Sequence, residues 1–386
     1  MSATIRDVAR AAGVSVATVS RAFNDSGPVR AETRRRVLEV ALSLRYAPNS
    51  AARSLITSRT GALGVLLPDL YGEFFSEVIR GVDQTAQRHG FHLLVSSSHN
   101  DRAQIEAALG AMRGRVDGLL VMSPDLDAEA LALNLADGQP VVLLNTRVRG
   151  SGFGSLTVDN FGGARAMVRH LLATGRRAVA VIKGAPRNHD AEERLRGYCA
   201  ALRAARVERR PAWEVAGDFT EVGGYRAAQQ LLAARPRPTA IFAANDSMAI
   251  GALSALREAG VRVPEDVAVA GFDDIPIARY MSPPLSSVHV PINELGTRAV
   301  AMLLEAVGAK DRRARGQETL ATTLVIRESC GAGRRAAGRK GGNGAGGAAG
   351  TAGRGKAGRG KAGRGSAGNR KATGSAANAR GRTARA

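Results

Sequence analysis

Arg21 is the only charged side chain in GVSVATVSRAF (13–23), where it stands among three hydroxyls, Ser15, Thr18 and Ser20. A guanidinium can hold two acceptors in one plane, and hydroxyls can both donate and accept. The stretch could therefore read an acceptor-rich surface, although its centre, Val16-Ala17, offers no donor. Charge along the chain names that surface. Residues 1–60 carry ten arginines against four acids, residues 61–330 are balanced at 31 basic to 30 acidic, and residues 331–386 carry fourteen cations and no acid. A near-neutral body with two basic ends predicts attraction to a polyanion at both ends. Signs of catalysis are missing. The sequence contains no G-x-S-x-G, and GSGFG (150–154) has the wrong spacing for a dinucleotide fingerprint. The six histidines lack metal-ligand spacing, His89 and His92 straddling a helix end and a strand. Cys199 and Cys330 form neither a metal pattern nor a disulfide framework. No cofactor, no metal site and no enzyme activity are expected.

Three kinds of segment must position these residues. In the first, Thr4-x-x-Asp7 matches a capping box, and Ile5, Val8, Ala9 and Ala12 give helix one an apolar stripe. Gly13-Val14 makes a tight turn, and Ser15 caps a second helix to about Phe23 with Val16, Val19 and Phe23 on one face. Two short helices about a glycine turn form a helix-turn-helix. A third helix, about Ala31–Leu44, is expected to turn Val37, Leu38, Ala41 and Leu44 toward the first two. Arg30 precedes it and cannot cap it; Arg30→Ser should raise the melting temperature and slightly flatten the salt dependence of polyanion binding.

In the second segment, continuous apolar runs alternate with helical stretches. The runs are GALGVLLP (61–68), FHLLVSS (91–97), DGLLVM (117–122), PVVLL (140–144), AVAVI (178–182), TAIFAA (239–244) and VAVAGF (267–272), with FFSEVIRGVDQTAQRHG (74–90) as a helix. That is the pattern of βαβ units covered on both sheet faces, and about 270 residues of it suit two similar subdomains. From Gly331 onward Gly, Ala and Arg dominate, a composition that cannot bury enough surface to order itself. The tail either binds DNA nonspecifically or is an inert solvated extension. The start, MSATIRDVARAAG, lacks the apolar core of a secretory signal, and no apolar run approaches the ~18 residues of a membrane span, so a cytoplasmic protein is expected.

The runs TIRDVARAAGVSVATVSRAFN and TRRRVLEVALSLRYAPNSAARSL resemble the DNA-binding head and hinge of the LacI/GalR family of bacterial transcription regulators. The resemblance continues in GDFTEVGGY (217–225), IFAANDSMAIGAL (241–253) and GFDDIPIARYMSPPLSSV (271–288), and leaves out the tail. It implies a fold of three parts: an all-α helix-turn-helix head (1–46), a hinge helix (47–60), and an α/β periplasmic-binding-protein-like body of two Rossmann-like lobes (61–330). Residues 331–386 follow as a disordered basic tail. The lobes would comprise about 61–157 with 290–318, and about 158–289 with 319–330. By position, Thr4, Ser15, Thr18, Ser20 and Asn24 would contact phosphates, while Val16, Ala17 and Arg21 would face the bases. Asn49–Ile56 would fold on the operator, with Asn49, Ala52 and Leu55 at the DNA and Leu55 wedged into the minor groove.

The resemblance also implies an effector between the lobes, met by Phe74, Phe75, Asn145, Arg194, Phe219, Asn245 and Asp273. These side chains suit a polyhydroxy, sugar-like ligand. Other readings stay open: Arg194 and Asp273 as a structural ion pair, Phe74 and Phe219 as core aromatics, Asn245-Asp246 as a helix cap. RNHDAEERLRGY (187–198) places His189 and Asp190 near the rim, where a surface loop is the plain reading. The function implied is a repressor, homodimeric and cytoplasmic at the nucleoid, bound to a pseudo-palindromic double-stranded operator and controlled by a sugar-like effector. The alternative is a sugar-binding receptor or enzyme of the same lobe architecture.

Overall fold

A computed structural model describes residues 3–24, 27–47, 59–99, 101–123, 134–135, 138–146, 153–311, 314 and 316–332. The head holds α1 (Ile5–Ala12), α2 (Val16–Asn24) and α3 (Ala31–Ser43). Thr4 and Asp7 form the capping box, and Gly13, at φ 65°, ends α1 in the left-handed conformation that favours glycine. Val8, Ala9, Ala12, Val19, Ala22, Val37 and Ala41 make the core, and Phe23 meets Tyr46 edge-on at 5.8 Å. Leu38 and Leu44 face outward, contrary to expectation. The inward stripe of α3 is Val37, Val40 and Ala41, packed in one cluster with Phe23 and Tyr46. Arg30 is the N-cap of α3 and makes no side-chain cap bond. Arg30→Ser is expected to stabilise the head by about 1 kcal/mol, read as a higher melting temperature; an unchanged value would mean the first-turn donors gain nothing from a cap.

The body contains two six-stranded sheets. The first is built from β1 (Ala62–Leu67), β2 (His92–Ser97), β3 (Gly118–Val121), β4 (Val141–Leu144), β5 (Gly154–Val158) and β11 (Gln317–Leu320), in the order β2-β1-β3-β4-β5-β11. The second is built from β6 (Val179–Ile182), β7 (Glu214–Val215), β8 (Ala240–Ala243), β9 (Ala268–Asp273), β10 (Ser286–His289) and β12 (Thr323–Val325), in the order β7-β6-β8-β9-β10-β12. The same 2-1-3-4-5 winding thus occurs twice, all parallel except that β12 runs antiparallel to β10. Strands buried on both faces explain the unbroken apolar runs: Leu63, Val65 and Leu67 join one core while Leu66 joins another on the opposite face.

Helices α4 (Glu73–Arg88), α5 (Arg102–Met112) and α10 (Ile292–Gly308) cover the first sheet. Helices α6 (Asn160–Ala173), α7 (His189–Ala204), α8 (Glu221–Ala233) and α9 (Asp246–Glu258) cover the second. Three connections join the lobes: after β5 at Asp159, after β10 at Val290-Pro291, and between β11 and β12 at Ala321-Thr322. The last falls a few residues beyond the expected 318/319 division, because β11 pairs with β5 through Leu320. Asp159 donates its backbone N–H to Leu320 O at 2.9 Å, tying the first connection to the third.

Candidate functional site

Two surfaces carry the residues singled out from sequence. On the head, Ser15 Oγ accepts the Thr18 N–H at 3.1 Å and lies 2.9 Å from the Thr18 hydroxyl, so Ser15 caps α2. Val16, Ala17, Arg21 and Asn24 are exposed, and Thr18 and Ser20 are half-buried. Asn24 Nδ2 donates to Ser20 Oγ at 3.3 Å. Thr4 donates its hydroxyl to Asp7 Oδ2 at 2.6 Å, and this bond holds the Asp7 carboxyl below its usual range. The face of α2 is therefore preorganised, with Arg21 as its one guanidinium. Asn49, Ala52 and Leu55 lie outside the described residues, as does the tail from residue 333.

The second surface is a cleft of about 320 Å³ between the lobes, at the C-terminal ends of the parallel strands. All seven residues expected there line it: Phe74, Phe75, Asn145, Arg194, Phe219, Asn245 and Asp273. Phe74 and Phe75 open α4 and meet edge-on at 5.5 Å. Both phenylalanines and Phe219 also lean on the core, so one ring serves packing and cleft together. Phe219 needs room behind it, and Gly184 supplies it: a Cβ there would lie 2.2 Å from the ring.

Arg194 and Asp273 are 5% and 4% exposed and form an ion pair at 3.1 Å. Arg194 Nε donates to Asn160 Oδ1 at 2.8 Å, Nη1 donates to Ala244 O at 2.5 Å, and the guanidinium lies 3.8 Å over the Phe272 ring. Burial, only partly offset by Arg194, pushes the Asp273 carboxyl up to about 6. Asn245 caps α9 through Oδ1 to Met248 N and donates Nδ2 to Phe219 O, so much of its amide is committed to the fold. Asn145 differs. It is 9% exposed, and its Oδ1 has no hydrogen-bond partner among the described residues.

Backbone strain gathers in the same place. Asn145, Phe219, Asp273 and Asp274 hold φ of 46°, 69°, 105° and 56°, costing of order 1–3 kcal/mol each unless the surroundings enforce them. Such residues cluster where a ligand must be met.

Asn160 escapes the sequence reading, which places Asp190 near the rim but in a surface loop. Asp190 lies in the first turn of α7 rather than in a surface loop, because Asn188 caps that helix on Ala191 N. It lines the cleft and accepts from Asn160 Nδ2 at 2.9 Å, and burial pushes its carboxyl up against the pull of Arg194. The Asn-x-x-Ala start was the available signal for the helix; nothing local announced the Asn160 contact. One bond also spans the lobes directly: Ile277 donates its backbone N–H to Glu73 Oε2 at 2.9 Å.

A helix-turn-helix head on a two-lobed body, with a polar cleft at its strand ends, is the architecture of a DNA-binding regulator. Residues 4–49 match the family described as "Bacterial regulatory proteins, lacI family", and residues 168–330 match the "Periplasmic binding protein-like domain". The HTH-type transcriptional repressor PurR of Pectobacterium carotovorum subsp. carotovorum is 37% identical over 335 residues, 86% of this chain and 98% of that protein. The ribose operon repressor of Haemophilus influenzae is 35% identical over 328 residues, 85% and 98% of the two chains. Among solved structures, the lac repressor dimer bound to operator and the anti-inducer ONPF superposes with a TM-score of 0.75 at 29% identity, covering 86% of this chain and 99% of that one. The chain belongs to the lacI family of bacterial regulatory proteins and is a DNA-binding transcriptional repressor, not an enzyme. Among the described residues no helix is long and apolar enough to cross a membrane.

Proposed function

We propose that the chain works in the cytoplasm, at the nucleoid, as a homodimer whose hold on a pseudo-palindromic operator is set by a small sugar-like effector in the interlobe cleft. The observation that carries the effector reading is Asn145, a nine-tenths buried residue whose amide oxygen lines the cleft without a donor among the described residues. Leaving such an acceptor unsatisfied costs about 1–3 kcal/mol, which a ligand hydroxyl recovers. Phe74, Phe75 and Phe219 would pack on the sugar, with Asn145, Asn245 and the Arg194–Asp273 pair at its hydroxyls. Similarity to a ribose operon repressor supports a sugar of that size.

On DNA, Thr4, Ser15, Thr18, Ser20 and Asn24 position the head on phosphates, Arg21 grips a guanine edge, and Val16 and Ala17 offer methyl contact. Asn49, Ala52 and Leu55 would form the hinge contact, with residues 1–46, 47–60, 61–330 and 331–386 as head, hinge, body and tail. The exposed Leu70, Tyr71, Ile277 and Tyr280, which border the Glu73–Ile277 bond, are apolar surface for a second copy to cover.

Gel shifts with genomic against random fragments, run with and without neutral sugars and with purine bases as flat-ligand controls, test the whole reading. Sequence-selective, salt-dependent binding that a sugar alters is expected. Binding without sequence preference would favour a receptor or enzyme of the same architecture, and a response to purines alone would replace the sugar. The pH dependence follows from Asp273. Its carboxyl is ionised, and able to accept from a hydroxyl, above about 6 and takes up a proton below that value. Effector affinity is therefore expected to weaken about tenfold between pH 7 and pH 5 in titration calorimetry. A flat profile would remove Asp273 from the ligand.

A further inference from the structure

We propose that the cleft rejects anions: its effector is an unphosphorylated, hydrogen-bond-donating molecule, and Asp190 is a residue that sets this selectivity. The inference rests on the cleft being the effector site and narrows the class of ligand it takes.

Four helix N-termini open on the cleft, those of α4, α7, α8 and α9, represented among its lining residues by Glu73, Asn188, Thr220 and Asn245. Helix N-termini ordinarily attract phosphate, because their free N–H groups and the helix dipole both favour negative charge. Here each one has a carboxylate in its first turn or just ahead of its cap. Glu73 begins α4, Asp190 lies in the first turn of α7, Asp218 accepts from the Thr220 N–H at 2.9 Å ahead of α8, and Asp246 begins α9. Three of the four ends also carry a side-chain cap, Asn188, Thr220 and Asn245, each accepting a first-turn N–H, whereas α4 has none and its Glu73 accepts from Ile277 across the lobes.

The charges lining the cleft agree. Asp69, Glu73, Asp190, Asp218 and Asp273 face two arginines, Arg187 and Arg194, with His189 beside them. Arg194 is not a free fork, since each of its three nitrogens already holds a protein acceptor: Asn160, Ala244 or Asp273. Arg187 is exposed at the mouth and is one cation against the excess. The deep groups ask for donors. Asn145 Oδ1 has none, and Asp190 uses Oδ1 for Asn160, leaving acceptor capacity toward the cleft it lines. A polyol supplies hydroxyl donors at such points, whereas a phosphate ester would set two negative charges among five carboxylates.

The test is titration calorimetry on the full chain with a panel of neutral pentoses and hexoses, D-ribose included, each paired with its phosphate ester. At least one neutral sugar is expected to bind, with its ester weaker by about 100-fold. Asp190→Asn, which keeps an acceptor for Asn160, should narrow that gap about tenfold with an unchanged melting temperature. An ester that binds as tightly as its parent sugar overturns the proposal while leaving the sugar reading intact. A gap that Asp190→Asn leaves unaltered removes Asp190 from it. Binding by no member of the panel removes the sugar reading, and this inference with it.

Discussion

Replacing Arg194 with methionine is expected to destabilise the body by about 3–5 kcal/mol and to abolish the effector response. The cost comes from what is left behind rather than from the pair's own attraction. Asp273 would remain 4% exposed with no opposing charge, and Asn160 Oδ1 and Ala244 O would both lose their donor. Methionine keeps the contact with Phe272, so packing loss is a minor part of the change. A double variant, Arg194→Met with Asp273→Leu, separates structure from recognition. Buried ion pairs are often replaceable by apolar residues without loss of stability, so unfolding should return toward that of the parent while effector binding stays absent. Denaturant unfolding and calorimetry on the three proteins provide the readout. If the double variant regained the effector response, the pair would be a scaffold and not part of the ligand contact.

Arg21→Ala should act on the opposite balance, removing recognition while sparing stability. The side chain is exposed and contributes nothing to the head core formed by Val8, Val19, Ala22 and Val37. Loss of one bidentate guanine contact costs about 1–3 kcal/mol per half-site, and a dimer would lose it twice. Operator affinity should therefore fall by roughly 30-fold or more, with random-sequence affinity changed far less and the melting temperature constant. Equal losses on operator and random DNA would recast Arg21 as a phosphate clamp, leaving Val16-Ala17 and the hinge to carry specificity.

What sequence reading captured, and what it missed, separates along one physical line. The seven apolar runs all contain strands; six of these strands are buried on both faces, which their composition records, and the seventh, β2, is a partly exposed edge strand. β10 was invisible, since SSVH reads as polar; Ser286 and Ser287 are buried all the same. Ser286 Oγ donates to Arg327 O at 3.0 Å and Ser287 Oγ to Asp246 Oδ1 at 2.6 Å. Those partners are 41 residues away along the chain, beyond any local pattern. Asp190 could be placed near the rim but not assigned for the same reason, its meaning residing in Asn160 and Arg194. Leu38 and Leu44 failed differently: periodicity offered several apolar stripes on α3, and tertiary packing against α1 and α2 buries the one with Val37 and Ala41. The seven effector residues implied by resemblance line one cleft, and Asn245 caps its helix as the sequence allowed, but nothing in the sequence marked Asn145 Oδ1 as lacking a partner among the described residues.

The three interlobe connections have a mechanical consequence. Asp159 and Leu320 are hydrogen-bonded, and the Thr322 hydroxyl reaches back to Asp159 O at 3.4 Å, so two of the three tethers are stitched side by side. The third, at Val290-Pro291, is fastened through Val290 N–H to Asp273 O, on the very residue that faces the cleft. Tethers fastened this way would favour rotation of the lobes about the hinge over sliding of one past the other. Occupancy of the cleft would then leave the body as one angle, a quantity that a rigid lobe can deliver undiminished to its far end.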